Sequence, residues 1–218
     1  MSDLSESNVR HLIWNQSFDA RYTKIWFTSD LHLGHANVIK FDHRPFADVA
    51  EMTDSIRELW NSKVQPNEHV FILGDIVWGS QKTMLENFNK NFNGIKHIIL
   101  GNHDKEHDHN FDCFETVDRL AKIVVATPDG KRQGMTLCHY PMMSWDGSFR
   151  KEWNLFGHVH NNMKIEDYRF NQCNVGYPSD WGFIDNKFDL YSFEDVKAKI
   201  EWINENLEQL KSNKPKVL

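Results

Sequence analysis

A chain of 218 residues with 40% hydrophobic side chains holds enough apolar mass for one large domain with its own core, which sets it apart from disordered segments. Its net charge of -6 opposes general attraction to nucleic acid, because such binding needs lysines and arginines to replace the counterions of the phosphate backbone. No run of eighteen apolar residues is present, so no membrane span is expected, and long nucleic acid is not an expected partner.

The opening residues Met1 to Arg10 are polar and acidic, unlike a secretion leader, so a cytoplasmic location is expected. The three cysteines, Cys113, Cys138 and Cys173, make no CxxC pair and are odd in number, which argues against a disulfide framework and a cysteine-rich zinc site. No repeat or low-complexity linker divides the chain. The expected organisation is an extension over residues 1–21 followed by one domain over 22–218.

In chain order, Tyr22 to Thr28 is rich in strand formers and predicts a first buried strand that ends at Ser29-Asp30. Helical spacing of Val49, Met52, Ile56, Leu59 and Trp60 predicts a helix from Asp48 to Lys63. A second strand, His69 to Leu73, leads into Gly74-Asp75. A helix over 81–92 precedes a third strand, Lys96 to Leu100, which leads into Gly101-Asn102-His103-Asp104. This alternation implies an α/β fold with parallel strands joined by crossovers. The second half is richer in short strands, at Ala121 to Ala126, Gln133 to Cys138, Asn154 to Phe156 and Gln172 to Val175, joined by turns such as Pro128-Asp129-Gly130. It predicts a second sheet packed on the first. Ser192 is a suitable cap for a closing helix from Phe193 to Leu210 with a stripe of Val196, Ile200, Ile203 and Leu207.

Polar residues that follow strand ends in an α/β sheet converge on the crevice where such folds bind ligands. Asp30, Asp75 and Asn102 hold that position after three successive strands, His32 shares the first loop, His139 ends a later strand, and His158 and His160 end the next. Two carboxylates, one amide oxygen and four imidazoles form a mixed donor set suited to Mn, Fe, Co, Ni or Zn. Seven donors exceed the needs of one ion. If one carboxylate bridges, they serve two cations about 3.5–4 Å apart, and Asp75, from the middle strand, is the natural bridge.

The series Asp30-x-His32, Gly74-Asp75, Gly101-Asn102-His103-Asp104, His139 and Gly157-His158-x-His160 resembles, in the same order, the motif series of the calcineurin-like metallophosphoesterases. Its local context resembles a small bacterial and phage subgroup. The resemblance implies a four-layer sandwich, two mixed β-sheets flanked by helices. It also implies Asp30, His32, Asp75 and His160 on one metal and Asp75, Asn102, His139 and His158 on the other, with manganese the first ion to expect.

Two such cations would polarise a phosphate ester and acidify a bridging water, whose hydroxide attacks in line. No protein nucleophile is then required, and no Gly-x-Ser-x-Gly elbow exists. His103 is expected to face the same phosphate, where it either protonates the leaving oxygen or stabilises developing charge; Asp104 either orients His103 or caps the loop. His35 and Asn37 either reach substrate or cap a helix. Tyr140, Trp145 and Arg150, with Phe149 and Lys151, either form a rim with a base-stacking and phosphate-binding wall or pack on the core. The expected activity is hydrolysis of a small, nucleotide-like phosphodiester, with a phosphomonoesterase or phosphoprotein phosphatase of the same fold as the alternative. A metal-binding scaffold without catalysis is disfavoured because every motif residue is present. Oligomeric state is not legible.

Overall fold

The computed structural model describes residues 14–79, 81–105, 111–127, 129–178 and 188–212. It contains strands β1 (Trp14–Asp19), β2 (Ile25–Thr28), β3 (His69–Ile72), β4 (Ile95–Ile99) and β5 (Thr116–Asp118). These are followed by β6 (Leu120–Ala126), β7 (Arg132–Cys138), β8 (Trp153–Phe156), β9 (Gln172–Asn174) and β10 (Tyr191–Ser192). Four α-helices accompany them among the described residues: α1 (Ala36–Phe41), α2 (Val49–Lys63), α3 (Gln81–Asn91) and α4 (Phe193–Ser212).

Two mixed sheets are flanked by helices, as expected. The first runs β10-β2-β3-β4-β5, with β2 to β5 parallel and β10 antiparallel at its edge. The second runs β1-β6-β7-β8-β9 and is parallel except where β6 meets β7.

The central strands are apolar at nearly every position because both of their faces are covered. Alternate side chains serve different cores: Trp26, Val70, Ile72 and Ile98 face α2 and α3, while Phe27, Phe71 and Ile99 meet Ile123, Leu137 and Leu155 of the second sheet. In α2 the buried stripe is Met52, Ile56 and Trp60, and the Asp48 carboxylate caps the first turn by accepting from the Glu51 N–H at 2.9 Å. Ser192 and Asp195 cap α4 reciprocally: Ser192 Oγ accepts from Asp195 N at 3.2 Å and Asp195 Oδ2 accepts from Ser192 N at 2.8 Å.

Two readings are corrected. Part of the segment set aside as an extension is a sheet strand: β1 pairs in parallel with β6 and places Phe18 edge-on to His69 and Phe71. The strand expected from Tyr22 starts at Ile25, because residues 19–23 turn, with Tyr22 and Thr23 both donating to Asp19 O.

Phe18→Ala should therefore lower the unfolding free energy by about 3 kcal/mol, the usual range for a buried aromatic, in chemical denaturation. A loss near zero would place β1 outside the folded unit.

His97 lies 2% exposed, stacked on Phe71, and burial first, then neighbouring His69, pushes its pKa down to about 3. Below pH 6.5 the unfolded chain takes up a proton that folded His97 refuses. Its contribution is complete above that pH and is lost as pH falls towards 3, at up to about 1.4 kcal/mol per pH unit. Denaturation at pH 7 and pH 4.5 should show a smaller acid loss in His97→Gln than in the parent chain.

Candidate metal centre

All seven donors sit just beyond the C-terminal ends of strands, which brings the edges of both sheets to one place. Asp30 follows β2, Asp75 follows β3 and Asn102 follows β4 in the first sheet; His139 follows β7, and His158 and His160 follow β8 in the second. The loops are tied to one another by backbone bonds. Asp30 N donates to Gly74 O at 3.0 Å, His32 N to Asp75 O at 2.9 Å, and Gly157 N to His139 O at 3.0 Å.

Five of the seven donors, Asp30, His32, Asp75, His158 and His160, have φ between 49° and 69°. This left-handed region costs a non-glycine residue roughly 1–2 kcal/mol, somewhat less for Asp and His. Such strain persists only where the surroundings dictate it. Here they do. Asp75 Oδ1 accepts from His103 N at 2.9 Å, and Asp30 Oδ2 accepts from His158 N at 2.9 Å. There is also no room for relaxation: a Cβ on Gly157 would collide with Ser29 Oγ and Asp30 Oδ2, and one on Gly101 with Asp75 Oδ1.

Within this frame the donor atoms of Asp30, His32 and His160 lie within 4.8 Å of one another, as do those of Asp30, Asp75 and His139. Asp30 is common to both groups, and Asp75 Oδ2 also reaches towards each, 3.8 Å from His32 Nε2 and 3.5 Å from His139 Nε2. Asn102 Oδ1 completes the cluster at 3.0 Å from His139 Nε2 and 2.9 Å from His158 Nδ1.

Outer contacts set which nitrogen faces inward. His139 Nδ1 lies 2.6 Å from Leu73 O, which can only accept, so that nitrogen carries a hydrogen and Nε2 is the atom left on the side of Asp75 and Asn102. His160 Nδ1 is held by Asp42 Oδ2 at 2.8 Å, leaving Nε2 directed at Asp30, 3.8 Å away.

The electrostatics fit two divalent cations. Both ring nitrogens of His32 are buried without a hydrogen-bond partner among the described residues, a costly state for a polar ring that a cation would relieve. Burial, then the Arg44 charge, pushes the His32 pKa down to about 2, so the ring is neutral. His158 is lowered by burial and by His139. Asp75 is pushed up to about 6, chiefly by burial, with His139 opposing and Asp30 adding to the rise. Burial also works against a charge on His160, but the Asp42 bond and the Asp30 and Asp42 charges outweigh it and raise its pKa. Two buried carboxylates beside imidazoles of which His32 and His158 are held back from protonation form a site short of positive charge, with an O/N donor set suited to first-row divalent ions.

The centre opens into a cleft of about 530 Å³ lined in part by His35, Phe41, Trp78, Asn102, His103 and Asn162. His103 lines this cleft next to Asn102. Asp104 is not its orienter: its carboxylate accepts from three backbone groups, Asp75 N at 2.7 Å, Gly101 N at 2.8 Å and Ile76 N at 3.2 Å. It shapes the ligand loops, the second of the two roles open to it.

His35 lines the cleft, whereas Asn37 is exposed on α1 and is not among the lining residues. Tyr140 borders the centre, its ring 4.6 Å from that of His158. Trp145 and Arg150 do not form a wall there. Trp145 is buried and donates its Nε1–H to Glu152 O at 2.9 Å, and Arg150 pairs with Asp146 at 3.2 Å and Glu152 at 3.6 Å.

Sequence reading missed Asp42, Arg44 and Trp78. Arg44 donates to three backbone carbonyls, Asp30 O at 2.9 Å, Leu31 O at 2.8 Å and Tyr177 O at 2.7 Å, and to Asp42, which holds His160. The available signal was an Asp-x-Arg pair shortly after the first motif, too common to stand out.

Comparison with known proteins adds independent support. The family model described as calcineurin-like phosphoesterase matches residues 23–217. The chain is 31% identical over 192 residues to the Gene 66 protein of Mycobacterium phage L5, covering 76% of this chain and 91% of that protein. It is 32% identical over 148 residues to the uncharacterized protein MJ1445 of Methanocaldococcus jannaschii, covering 67% and 74%. Among solved structures, the protein of unknown function AQ665 from Aquifex aeolicus shares the fold at a TM-score of 0.59, with 22% identity over 81% of this chain and 99% of that one.

Elemental analysis of manganese-loaded, desalted protein should give two ions per chain. Asp75→Asn, altering the carboxylate expected from the sequence to bridge, should lose most of both ions, whereas Asp30→Asn should retain nearer one; equal stoichiometries would remove Asp75 from the bridging position.

Proposed function

Because the chain belongs to the calcineurin-like phosphoesterase family, we propose that it is a dinuclear-metal phosphodiesterase acting on a small, nucleotide-like phosphodiester. The clustered donors of Asp30, His32, His160, Asp75 and His139, with both His32 nitrogens lacking a hydrogen-bond partner among the described residues, support the metal requirement. Asp30, His32, Asp75 and His160 would hold one ion, and Asp75, Asn102, His139 and His158 the other. When bound, two divalent ions polarise the phosphoryl oxygens and lower the pKa of a water towards neutrality.

The chain itself supplies placement and a proton. His103 faces the cleft beside Asn102, and its backbone N–H is fixed on Asp75 Oδ1. From there it protonates the departing oxygen or offsets its developing charge. Asp104 holds the loop from which His103 projects by accepting from Gly101 N and Asp75 N.

The observation that favours a diester is the cleft wall. Among the described residues that line it there is no lysine or arginine, while Val38, Phe41 and Trp78 give it an apolar part. A monoester dianion gains from side-chain cations; a diester monoanion with organic groups on both sides suits these walls better. Manganese is the ion to test first, on the mixed oxygen and nitrogen donors. The free thiols Cys113, Cys138 and Cys173 are consistent with a cytoplasmic setting.

Comparison of kcat/KM for bis-aryl and mono-aryl phosphates should favour the diester; preference for the monoester or for phosphopeptides would overturn that specificity. His103→Ala should retain both metals and lose about 10²–10⁴ in rate. The loss should shrink as the leaving group improves, and an equal loss across leaving groups would assign His103 to phosphate positioning instead.

A further inference from the structure

A second cavity, of about 270 Å³, adjoins the metal cleft and is lined by Val77, Trp78, Gly79, His103 and Lys105. Trp78 and His103 line both spaces, so this pair forms the wall between the metal centre and the side cavity. Trp78 is 40% exposed, high for the largest aromatic side chain. Its position is nevertheless fixed. Trp78 N donates to Leu33 O at 2.8 Å, and its ring lies flat on His35, with centroids 4.0 Å apart and planes 7° from parallel. The His103 ring is 4.9 Å away.

We infer that this side cavity receives the leaving alcohol of the substrate, and that Trp78 selects an alcohol carrying a flat aromatic ring, such as a nucleoside. The reading rests on the phosphoester hydrolase assignment above and deepens it. The group attached to the oxygen that His103 protonates must lie next to His103, and the side cavity that His103 lines is a space beside it, away from the metal ligands. Its volume is at the lower end of ligand sites, room for one ring system rather than a polymer. A preorganised indole offers a stacking surface of low entropic cost, and base stacking on an aromatic residue is worth about ten-fold to a hundred-fold in binding. Lys105, exposed on the rim, adds positive charge on the side where a nucleoside would carry further phosphate.

The test uses benzyl methyl phosphate and cyclohexylmethyl methyl phosphate, whose leaving alcohols differ in flatness but little in acidity. The manganese-loaded enzyme should release benzyl alcohol with the higher kcat/KM, and Trp78→Ala should reduce the ratio of the two values about ten-fold, with Trp78→Phe between. A displaced His103 would slow both esters alike and leave the ratio intact. An unchanged ratio in Trp78→Ala overturns the inference. The same pair as monophosphates separates the two readings: preference for monoesters defeats the diester proposal, while the ratio still reports on Trp78. Binding provides a readout without turnover, since a nucleoside monophosphate should quench tryptophan fluorescence in the parent chain and markedly less in Trp78→Phe; equal quenching also overturns it.

Discussion

Two buried carboxylates, those of Asp30 and Asp75, are brought within 4.8 Å of one another, and the architecture of the centre follows from holding them there. At an effective dielectric of about 20 the repulsion of two such charges is roughly 3 kcal/mol, before the cost of removing each from water. The fold meets this with donors placed in advance: the backbone N–H of His158 on Asp30 and that of His103 on Asp75. Arg44 serves the same end from behind. Its guanidinium binds the carbonyls of Asp30, Leu31 and Tyr177, lies 4.2 Å over the Tyr177 ring, and so joins three distant parts of the chain under the ligand loop. What these groups leave uncompensated is negative charge at the cluster itself, where cations are needed.

The donors come from both sheets, so the core between the sheets is part of the chemistry. Asp30, His32, Asp75 and Asn102 belong to loops of the first sheet, and His139, His158 and His160 to loops of the second. Their separation is set by how Phe27, Phe71 and Leu73 pack against Leu137 and Leu155. Protein interiors are close-packed and compress little, so such an interface holds a fixed spacing between ligands with no covalent link. Apolar side chains remote from substrate thereby control the geometry on which activity depends.

The main strands were legible because each carries an apolar run that ends in a polar motif: β2 ends before Asp30 and β3 before Asp75 for the same reason, that the C-terminal end of the sheet is where the apolar core gives way to the polar cluster. β5 and β10 escaped because three and two residues are too short to display a period. β1 escaped because its sequence, with Asn15, Gln16 and Ser17 in succession, suits an edge strand and lacks the apolar run of a central one. Trp145 and Arg150 misled because their types suit nucleotide binding, whereas the turn formed by Gly147 and Lys151, both with positive φ, folds them back on Glu152 and Asp146. Trp78 went unnoticed because nothing local distinguishes it; its role comes from the pairing of Leu33 with Val77, which aligns it with His35.

The parallel pairing of β1 with β6, in which Trp14 is partner to Lys122, has a consequence for the order in which the molecule can assemble. During synthesis β2, β3 and β4 emerge in sequence and can pair as they appear. The earlier-made β1 has no sheet to join until residues 120–126 have left the ribosome. Its aromatic Phe18 is thus held waiting while β2 to β5 are made, and completion of the second sheet is a late, long-range closure that is slow relative to local pairing. A polar edge strand keeps that waiting segment soluble, which gives the sequence Asn-Gln-Ser a purpose in biogenesis separate from its place in the finished sheet.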